Sequence, residues 1–484
     1  MPRAALLLFA ALLALPLVHI ARPVHYDEAN FLVLARGAAE DPWRPHDVHI
    51  NWQGVDQRAF DVLSNPPGIA WWLAPVHDAP VVVQRLFMLP WLALVLFGAW
   101  RLGGRFTGDP VRGALVLLTS PIVLLSTPAL LPDAPLYALT LAGVGGFVTA
   151  TDEDRPAFGW ALLAGFAAWF RYSGLALGPL LVVYALVRGR KPVHALAAFL
   201  PPLALALHDQ FAYGAVHVLA MGSFQAVATT PEDVFHKGVS AIAMLGGAAA
   251  LPFFPWSRAS FAGAAIGACL GAAWGWPGAL FAALGGATLG AVPGRGRGWL
   301  ALWAFGGLAF LLTLRFTATR YWLPFLPGVL LALPTGRWPR VFIGTQLALA
   351  FLLAADEDRS ARAQALLADQ VAALGVGTFT GHWGWQWAME RQGWRALDEG
   401  ARPPVGTLVA MPRQAWPQPV DVSCARVVWE GAARPPIPWL PRGYSEEAHA
   451  NLHANWIYDR PPVRTVIPWG FANDPYERVR VCQE

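Results

Sequence analysis

The feature that most constrains this chain is a series of apolar blocks, each roughly 17 to 22 residues long, recurring up to about residue 355. Charged or Pro/Gly breaks separate them, and within them the apolar residues are continuous rather than spaced along one helix face, which is the pattern of membrane spans. Composition agrees: 56% of residues are hydrophobic and 14% charged, well under the quarter or so charged residues of an ordinary soluble domain. A single soluble globule is excluded, and a polytopic α-helical membrane protein is expected.

The blocks fall near 4–21, 81–100, 113–130, 133–150, 157–171, 173–188, 193–208, 238–254, 260–275, 277–293, 299–315, 322–336 and 341–355. That is about thirteen transmembrane helices. Residues 113–150 also suit broken, re-entrant helices around "TPALLPDAPL". Residues 4–21 resemble a signal peptide, but no clear small-x-small cleavage site follows them, so they read as a retained first helix.

Arginine sets the sidedness. With the N-terminus inside, the inner connections hold Arg101, Arg105, Arg112, Arg188, Arg190, Lys191, Arg258, Arg295, Arg297, Arg337 and Arg340. The short outer connections hold only Arg171, Lys237, Arg315 and Arg320. This positive-inside bias puts residues 22–80, and everything after about 356, on the outer side. The net charge of +4 is dispersed, with no basic run and no aromatic–basic interleaving, so there is no nucleic-acid footprint.

Residues 356–484 are more polar and rich in Pro and Trp. One helix-like stretch (359–374) and the strand-like runs "GTLVAMP", "ARVVWEG" and "RVRVCQ" predict a small α/β soluble domain outside the membrane, following a transmembrane domain over 1–355. Cys424 and Cys482 both fall in this domain. In an oxidising compartment they either pair or remain two independent thiols.

The outer side gathers the chemistry. The loop 22–80 is far longer than a connection of about 4–6 residues needs to be. It carries Asp27, Glu28, His46, Asp47, His49, Asn51, Trp52, Gln53, Asp56 and Asp61, and closes with "SNPPGIAWWLAP". Later outer turns add Asp133, Arg171, Tyr172, His208, Asp209, His217, Glu232, Asp233, His236, Lys237, Arg315, Arg320 and Tyr321. Carboxylates deprotonate a hydroxyl or hold a metal, and arginines grip phosphate in a bidentate fork. A base beside a phosphate clamp at a membrane surface suggests transfer from a lipid phosphate.

These segments resemble the lipid-dependent, multi-span glycosyltransferases of the GT-C class. "HYDEANF" is similar to their acidic motif after the first span and "NPPG" to their loop-closing Pro-Pro motif. "VVQRLFMLP" resembles their Arg-Leu start of the second span, "LPDAPL" their second acidic site, and "RYWLPFLP" their Arg-Tyr-x-Leu-Pro-x-x-Pro segment. "GHWGWQWAMERQGWRAL" is similar to a segment in the outer domain of bacterial members. The resemblance covers most of the chain and is nearest to protein O-mannosyltransferases and aminoarabinose transferases, glycosyltransferase families 39 and 83.

The resemblance implies inverting transfer of a sugar from a polyprenyl-phosphate donor to an acceptor hydroxyl on a lipid, glycan or protein of the cell envelope. Asp27 would be the catalytic base. Glu28 and Asp133 would be supporting acids that orient the acceptor or a divalent cation such as Mg or Mn, with Asp27 and Glu28 the candidate metal ligands. Arg320 with Tyr321, and Arg171, Lys237 or Arg315, would hold the phosphate. No nucleotide or redox cofactor is implied. Many relatives carry His or Lys before the Pro-Pro pair, where this chain has Asn65; that departure counts against an aminoarabinose transferase and leaves the clamp to other residues.

Plainer readings stand beside these. Asp27 and Glu28 also suit a hydrated loop start or the first turn of a helix, Asp133 a helix N-cap, and Arg171 and Arg320 interfacial anchors. His46 and His49 match no strong metal-ligand spacing, and His382 among its tryptophans suits outer-domain packing. A transporter or flippase is the competing function class, and a non-catalytic scaffold a third. A transporter should carry charges near mid-span and show paired repeats; here the acids cluster at outer ends and no repeat is visible.

Overall fold

The computed structural model describes residues 18–52, 54–226, 230–294, 296–334, 339–437, 439–457 and 462–484. Most of the expected first span, together with Gln53, Arg295 and Arg337, lies outside the described residues.

Up to residue 334 the described chain is helical apart from one short hairpin. Four helical stretches are long and apolar enough to cross a membrane: Val81–Thr107, Asp133–Asp152, Pro192–Tyr213 and Arg258–Ala291. Phe158–Trp169, Tyr172–Val187 and Gly298–Thr313 are shorter apolar helices. Blocks 113–130, 238–254 and 322–336 are interrupted instead. Proline lacks an N–H and clashes with the preceding turn, so it suits a first helical turn, and helices begin at Pro110, Pro121 and Pro231. Block 113–130 becomes Pro110–Leu118 and Pro121–Ser126, and an irregular buried segment then leads to Asp133. Block 238–254 becomes Pro231–Met244 followed by a π-turn at Leu245–Ala249. Block 322–336 becomes a 3-10 turn at Thr319–Trp322 and the helix Leu326–Ala332.

The loop 22–80 is ordered by a helix at Glu28–Glu40, an antiparallel hairpin pairing His49–Asn51 with Asp56–Arg58, and a short helix at Gly68–Leu73 after the Pro66-Pro67 corner. Asn51 Nδ2 donates to Asp398 Oδ1 at 2.8 Å, so the hairpin rests on the C-terminal unit.

The C-terminal unit is α/β. The helix Pro339–Ala372 runs unbroken from the last apolar block into it, so the division expected at residue 356 falls inside one helix. A five-stranded sheet follows, in the spatial order Arg395–Ala396, Thr378–Phe379, Leu408–Pro412, Glu477–Gln483, Arg426–Ala433, beside three two-stranded pairs. The first three are mutually parallel and the last two pair antiparallel. Each of the three strand-like runs in the sequence is a strand. The strand at 477–483 alternates buried and exposed residues, as a half-buried strand should. Cys424 and Cys482 are disulfide-bonded, while Cys269 is free and exposed.

This unit sits on the end of the helical bundle assigned to the outer side. Ala450, Val466 and Ile467 pack with Val239, Ala243, Phe281 and Ala282. Asn455 bonds both His236, at 3.1 Å, and the Thr317 N–H, at 3.0 Å. The contacts therefore fall on the ends of helices that the arginine distribution places together.

Candidate functional site

Four segments far apart in sequence meet at one cluster. Asp27 is the residue just before the helix Glu28–Glu40, and its half-buried carboxylate accepts a hydrogen bond from Nη2 of the buried Arg320. Arg320 lies on the 3-10 turn Thr319–Trp322. That turn is anchored by fully buried Trp322, whose indole N–H donates to the Ala241 carbonyl at 2.9 Å. The next residue, Tyr321, lies between two guanidinium groups: Arg320 is 5.8 Å and Arg171 5.2 Å from its ring centroid. Arg171, in the extended joint before the turn Tyr172–Ala176, places Nε 3.0 Å from Oδ1 of Asp133. Asp133, wholly buried, opens the helix Asp133–Asp152.

The structure thus brings Asp27, Arg320, Tyr321, Arg171 and Asp133 together as two ion pairs sharing one aromatic ring. Their formal charge sums to zero, so burying them together is tolerable where burying either sign alone would not be. The Pro-Pro-Gly corner also bears on the cluster. A Cβ on Gly68 would lie 2.4 Å from the Trp169 carbonyl, so only glycine lets this corner press on the segment that leads to Arg171. Beside Arg171, the Tyr172 hydroxyl is 2.6 Å from His217 Nδ1, and His217 N–H donates to Asp209 at 3.3 Å.

Glu28 has another place. Its carboxylate receives Arg85 Nη1 and Nη2, Arg22 Nη2, and the N–H groups of His25 and Leu130, all between 2.8 and 3.1 Å. Burial opposes its charge, yet Arg85 first and Arg22 second hold its carboxyl down at about 2. Arg22 passes the chain of charges on to Glu357, which is also 3.1 Å from His453 Nε2. Glu28 is therefore the hub of a buried ladder joining the first loop, the helix start Val81–Leu86, the long helix and the C-terminal unit. Its oxygens are already engaged, which does not suit the expected part of acceptor-orienting acid or metal ligand.

Lys237 also departs from expectation: its ammonium donates to the carbonyls of Leu312 and Leu314, at 2.8 and 2.6 Å, closing the end of the helix Gly298–Thr313. Such carbonyls have no intrahelical partner and attract a cation, which accounts for its position without a substrate. Asn65 sits at the loop corner, where its backbone carbonyl is 3.0 Å from His46 Nε2.

Among the described residues no group of three His, Cys, Asp or Glu side chains is placed to hold a metal ion. Asp27 and Asp133 each face a guanidinium instead, so these donors do not fit the divalent cation the resemblance allowed, and no step is assigned to one.

Arg22, Arg85, Glu357 and His453 were not singled out as site residues. Arg85 had a signal: it is a lone charge inside "VVVQRLFMLP", where an arginine needs a buried partner. Glu357 and His453 had none, because their pairing depends on how the C-terminal unit docks.

A helical, polytopic chain with a buried acid–arginine cluster beneath an α/β cap is the class that fold and site define. No family model matches the chain, and no curated protein matches it at a significant level. Two solved structures are similar to it over most of its length. One is ArnT from Cupriavidus metallidurans bound to undecaprenyl phosphate, with 17% identity, 77% of this chain and 72% of that chain covered, and a TM-score of 0.40. The other is the same protein in the apo state, with 19% identity, coverage of 76% and 71%, and a TM-score of 0.39. Likenesses this low carry no argument about activity, and the functional reading rests on the cluster itself.

Proposed function

We propose that this chain is an integral membrane inverting glycosyltransferase, moving a sugar from a polyprenyl-phosphate donor to an acceptor hydroxyl at the outer face of the plasma membrane, with its C-terminal unit periplasmic or extracellular. The observation that carries the reading is the Asp27–Arg320 pair joined through Tyr321 to Arg171–Asp133. What supports the reading is that a carboxylate and two guanidinium groups, the chemistry a base and a phosphate clamp require, lie at one place on the end of the bundle covered by the C-terminal unit.

The chemistry follows from competition for Arg320. A donor phosphate brings negative charge that draws Arg320, and Arg171 beyond it, away from sole engagement with the two aspartates. Asp27 is then released to accept the proton of the acceptor hydroxyl. The hydroxyl oxygen attacks the anomeric carbon from the face opposite the phosphate. The bond from that carbon to the phosphate oxygen breaks, and its electron pair leaves with the polyprenyl phosphate, whose charge the arginines stabilise. Asp133 holds Arg171 in position. Donor sugar and acceptor are left unassigned within the lipids, glycans and proteins of the envelope.

Asp27→Asn tests the reading, since it keeps the shape and a partner for Arg320 while removing the base. Transfer of label from polyprenyl-phosphate sugar by cell membranes should fall by about 10²–10⁴-fold, with the protein still folded. Full transfer by this variant would remove Asp27 as the base. Movement of labelled substrate across proteoliposomes with no glycosidic bond formed would support a transporter instead.

A further inference from the structure

The C-terminal unit does not stop where the last apolar block ends. Asp356, the first residue past block 341–355, is buried and holds the unit at that level: Arg442 Nε lies 3.0 Å from its Oδ1, and the Gly443 N–H donates to its Oδ2 at 2.8 Å. The segment "PWGF", residues 468–471, reaches deeper. Trp469 packs on a cluster that includes Leu353 and Leu349, which lie about 5 and 10 Å below Asp356 at the rise of an α-helix. Its indole N–H donates at 2.7 Å to the carbonyl of Gly247, midway along block 238–254. A Cβ on Gly247 would lie 2.6 Å from Pro468 Cγ, so the proline presses on the same π-turn.

Beside this anchor two large rings are exposed, Phe471 to 54% and Trp439 to 72%. They share one edge of the unit. Phe471 pairs with Pro441 where Gly470–Phe471 runs antiparallel to Pro441–Arg442, and Trp439 comes two residues before Pro441, within about 7 Å of it. Phe471 also meets Trp469 edge-on at 5.7 Å. Its ring is therefore tied on one side to an indole sunk between helices and on the other to the strand held at Asp356. About a turn below Asp356, the helix Pro339–Ala372 leaves Phe351 and Leu352 exposed, and on a membrane span such residues face lipid. A single exposed apolar residue needs no account. Aromatic rings gathered at the end of a span match the belt where tryptophan sits at headgroup level.

We infer that Trp439 and Phe471 form a membrane-dipping edge, lodged at the boundary of headgroups and acyl chains in the leaflet on that side, with the bilayer as its partner. The burial of Trp469 supplies the depth, and the exposure of the two rings supplies the lipid contact. The C-terminal unit is thus held by lipid as well as by the helix ends. This goes beyond the glycosyltransferase reading and does not depend on it.

The test is nitroxide labelling of the full chain in phosphatidylcholine–phosphatidylglycerol liposomes. The background is Cys269→Ala, which leaves only the disulfide-bonded Cys424 and Cys482. Trp439→Cys, Phe471→Cys, Leu352→Cys and Val376→Cys are labelled one at a time. Electron paramagnetic resonance then compares collisions with oxygen, which concentrates among acyl chains, and with a water-soluble nickel chelate. Leu352 is the lipid standard. Val376 is the water standard, being exposed just past the end of the helix Pro339–Ala372, about 24 Å along that helix from Asp356. The oxygen-to-nickel ratio at Trp439 and at Phe471 should shift from the value at Val376 toward that at Leu352. A ratio matching Val376 at either position overturns the inference by placing the edge in water. Few collisions with both reagents overturn it by placing protein, such as a second copy of the chain, over the edge. Should Phe471→Cys unfold, Trp439→Cys reads the same edge.

Discussion

Arg85 holds Glu28 with both arms of its guanidinium, Nη1 2.8 Å from Oε1 and Nη2 2.9 Å from Oε2, with both side chains almost completely buried. The pair fixes the first turn of the helix whose cap is Asp27. Glu28 and Asp27 are neighbours in sequence but differ in kind, one saturated by fixed donors and the other paired with a single arginine and partly open. The geometry therefore separates an acid saturated by fixed donors from one that keeps part of its surface accessible.

Glu28→Gln should act on stability before chemistry. It leaves Arg22 and Arg85 buried without their common anion, and breaking such a pair costs about 3–5 kcal/mol. Thermal unfolding in detergent should show a large fall in midpoint. Arg85→Lys, which cannot make the bidentate grip, should cost less but in the same direction. An unchanged midpoint in Glu28→Gln would show that the ladder does not hold the loop.

Arg320 and Arg171 should separate in their effects on donor binding. Arg320→Lys keeps a charge near Asp27 but loses the planar fork, so affinity for polyprenyl phosphate should weaken by roughly tenfold, the equivalent of one charge-assisted hydrogen bond. Arg171→Lys should weaken it less, because its partner Asp133 is wholly buried and holds it back, whereas Asp27, the partner of Arg320, is partly open. Equal affinity across wild type and both variants, measured by displacement of a labelled polyprenyl phosphate, would remove both from the clamp.

How far the sequence reached differs between elements. That Asp27, Asp133, Arg171 and Arg320 come together is legible because charges near apolar blocks are conspicuous and arginine counting sorts them to one side. The strands at 408–412, 426–433 and 477–483 were legible from short β-rich runs bounded by Pro and Gly. Span count was less legible: thirteen blocks were expected, and four helices among the described residues meet a full span's length and hydropathy. A hydropathy window does not register a proline that restarts a helix, so Pro110, Pro121 and Pro231 were read inside or beside continuous spans. The contacts of Lys237 with the Leu312 and Leu314 carbonyls are not legible, because an ammonium beside a span looks the same in sequence whether it meets phosphate or a helix end.

Stability should fall in two stages on acidification. His25 and His46 are buried in the first loop. Burial in both, then the charge of Arg22 for His25 and of His217 for His46, lowers their folded values to about 3 from an ordinary 6.5. The unfolded chain takes up these protons first, so stability declines as pH falls from 6.5 toward 3. Glu28 and Glu357 are held at about 2 against an ordinary 4.5. Their contribution is complete above 4.5 and is lost as pH falls toward 2. Unfolding midpoints measured from pH 8 to 3 should show the first decline, and His25→Phe should flatten it. A midpoint that stays level between pH 6.5 and 4.5 would contradict the assignment.

One close contact between the C-terminal unit and the chain just before Asp27 requires glycine. Gly384, the last residue of "GHWG", faces the chain just before the acidic motif: a Cβ there would lie 2.4 Å from the Val24 carbonyl and 3.1 Å from His25 Cα. Real Cβ atoms do not approach a backbone oxygen so closely, so Gly384→Ala must push the helix Trp383–Arg391 away from the loop. That motion would part Tyr26 from Trp383 and strain the His453–Glu357 end of the ladder. Overpacking of this kind costs about 1–3 kcal/mol, too little to unfold a large helical bundle. Glycosyl transfer should therefore fall by more than tenfold while the membrane-embedded helices stay folded, and limited proteolysis should cut the loop 41–56 faster than in the wild type. Transfer and proteolysis both unchanged would mean that the loop and the C-terminal unit do not act as one piece.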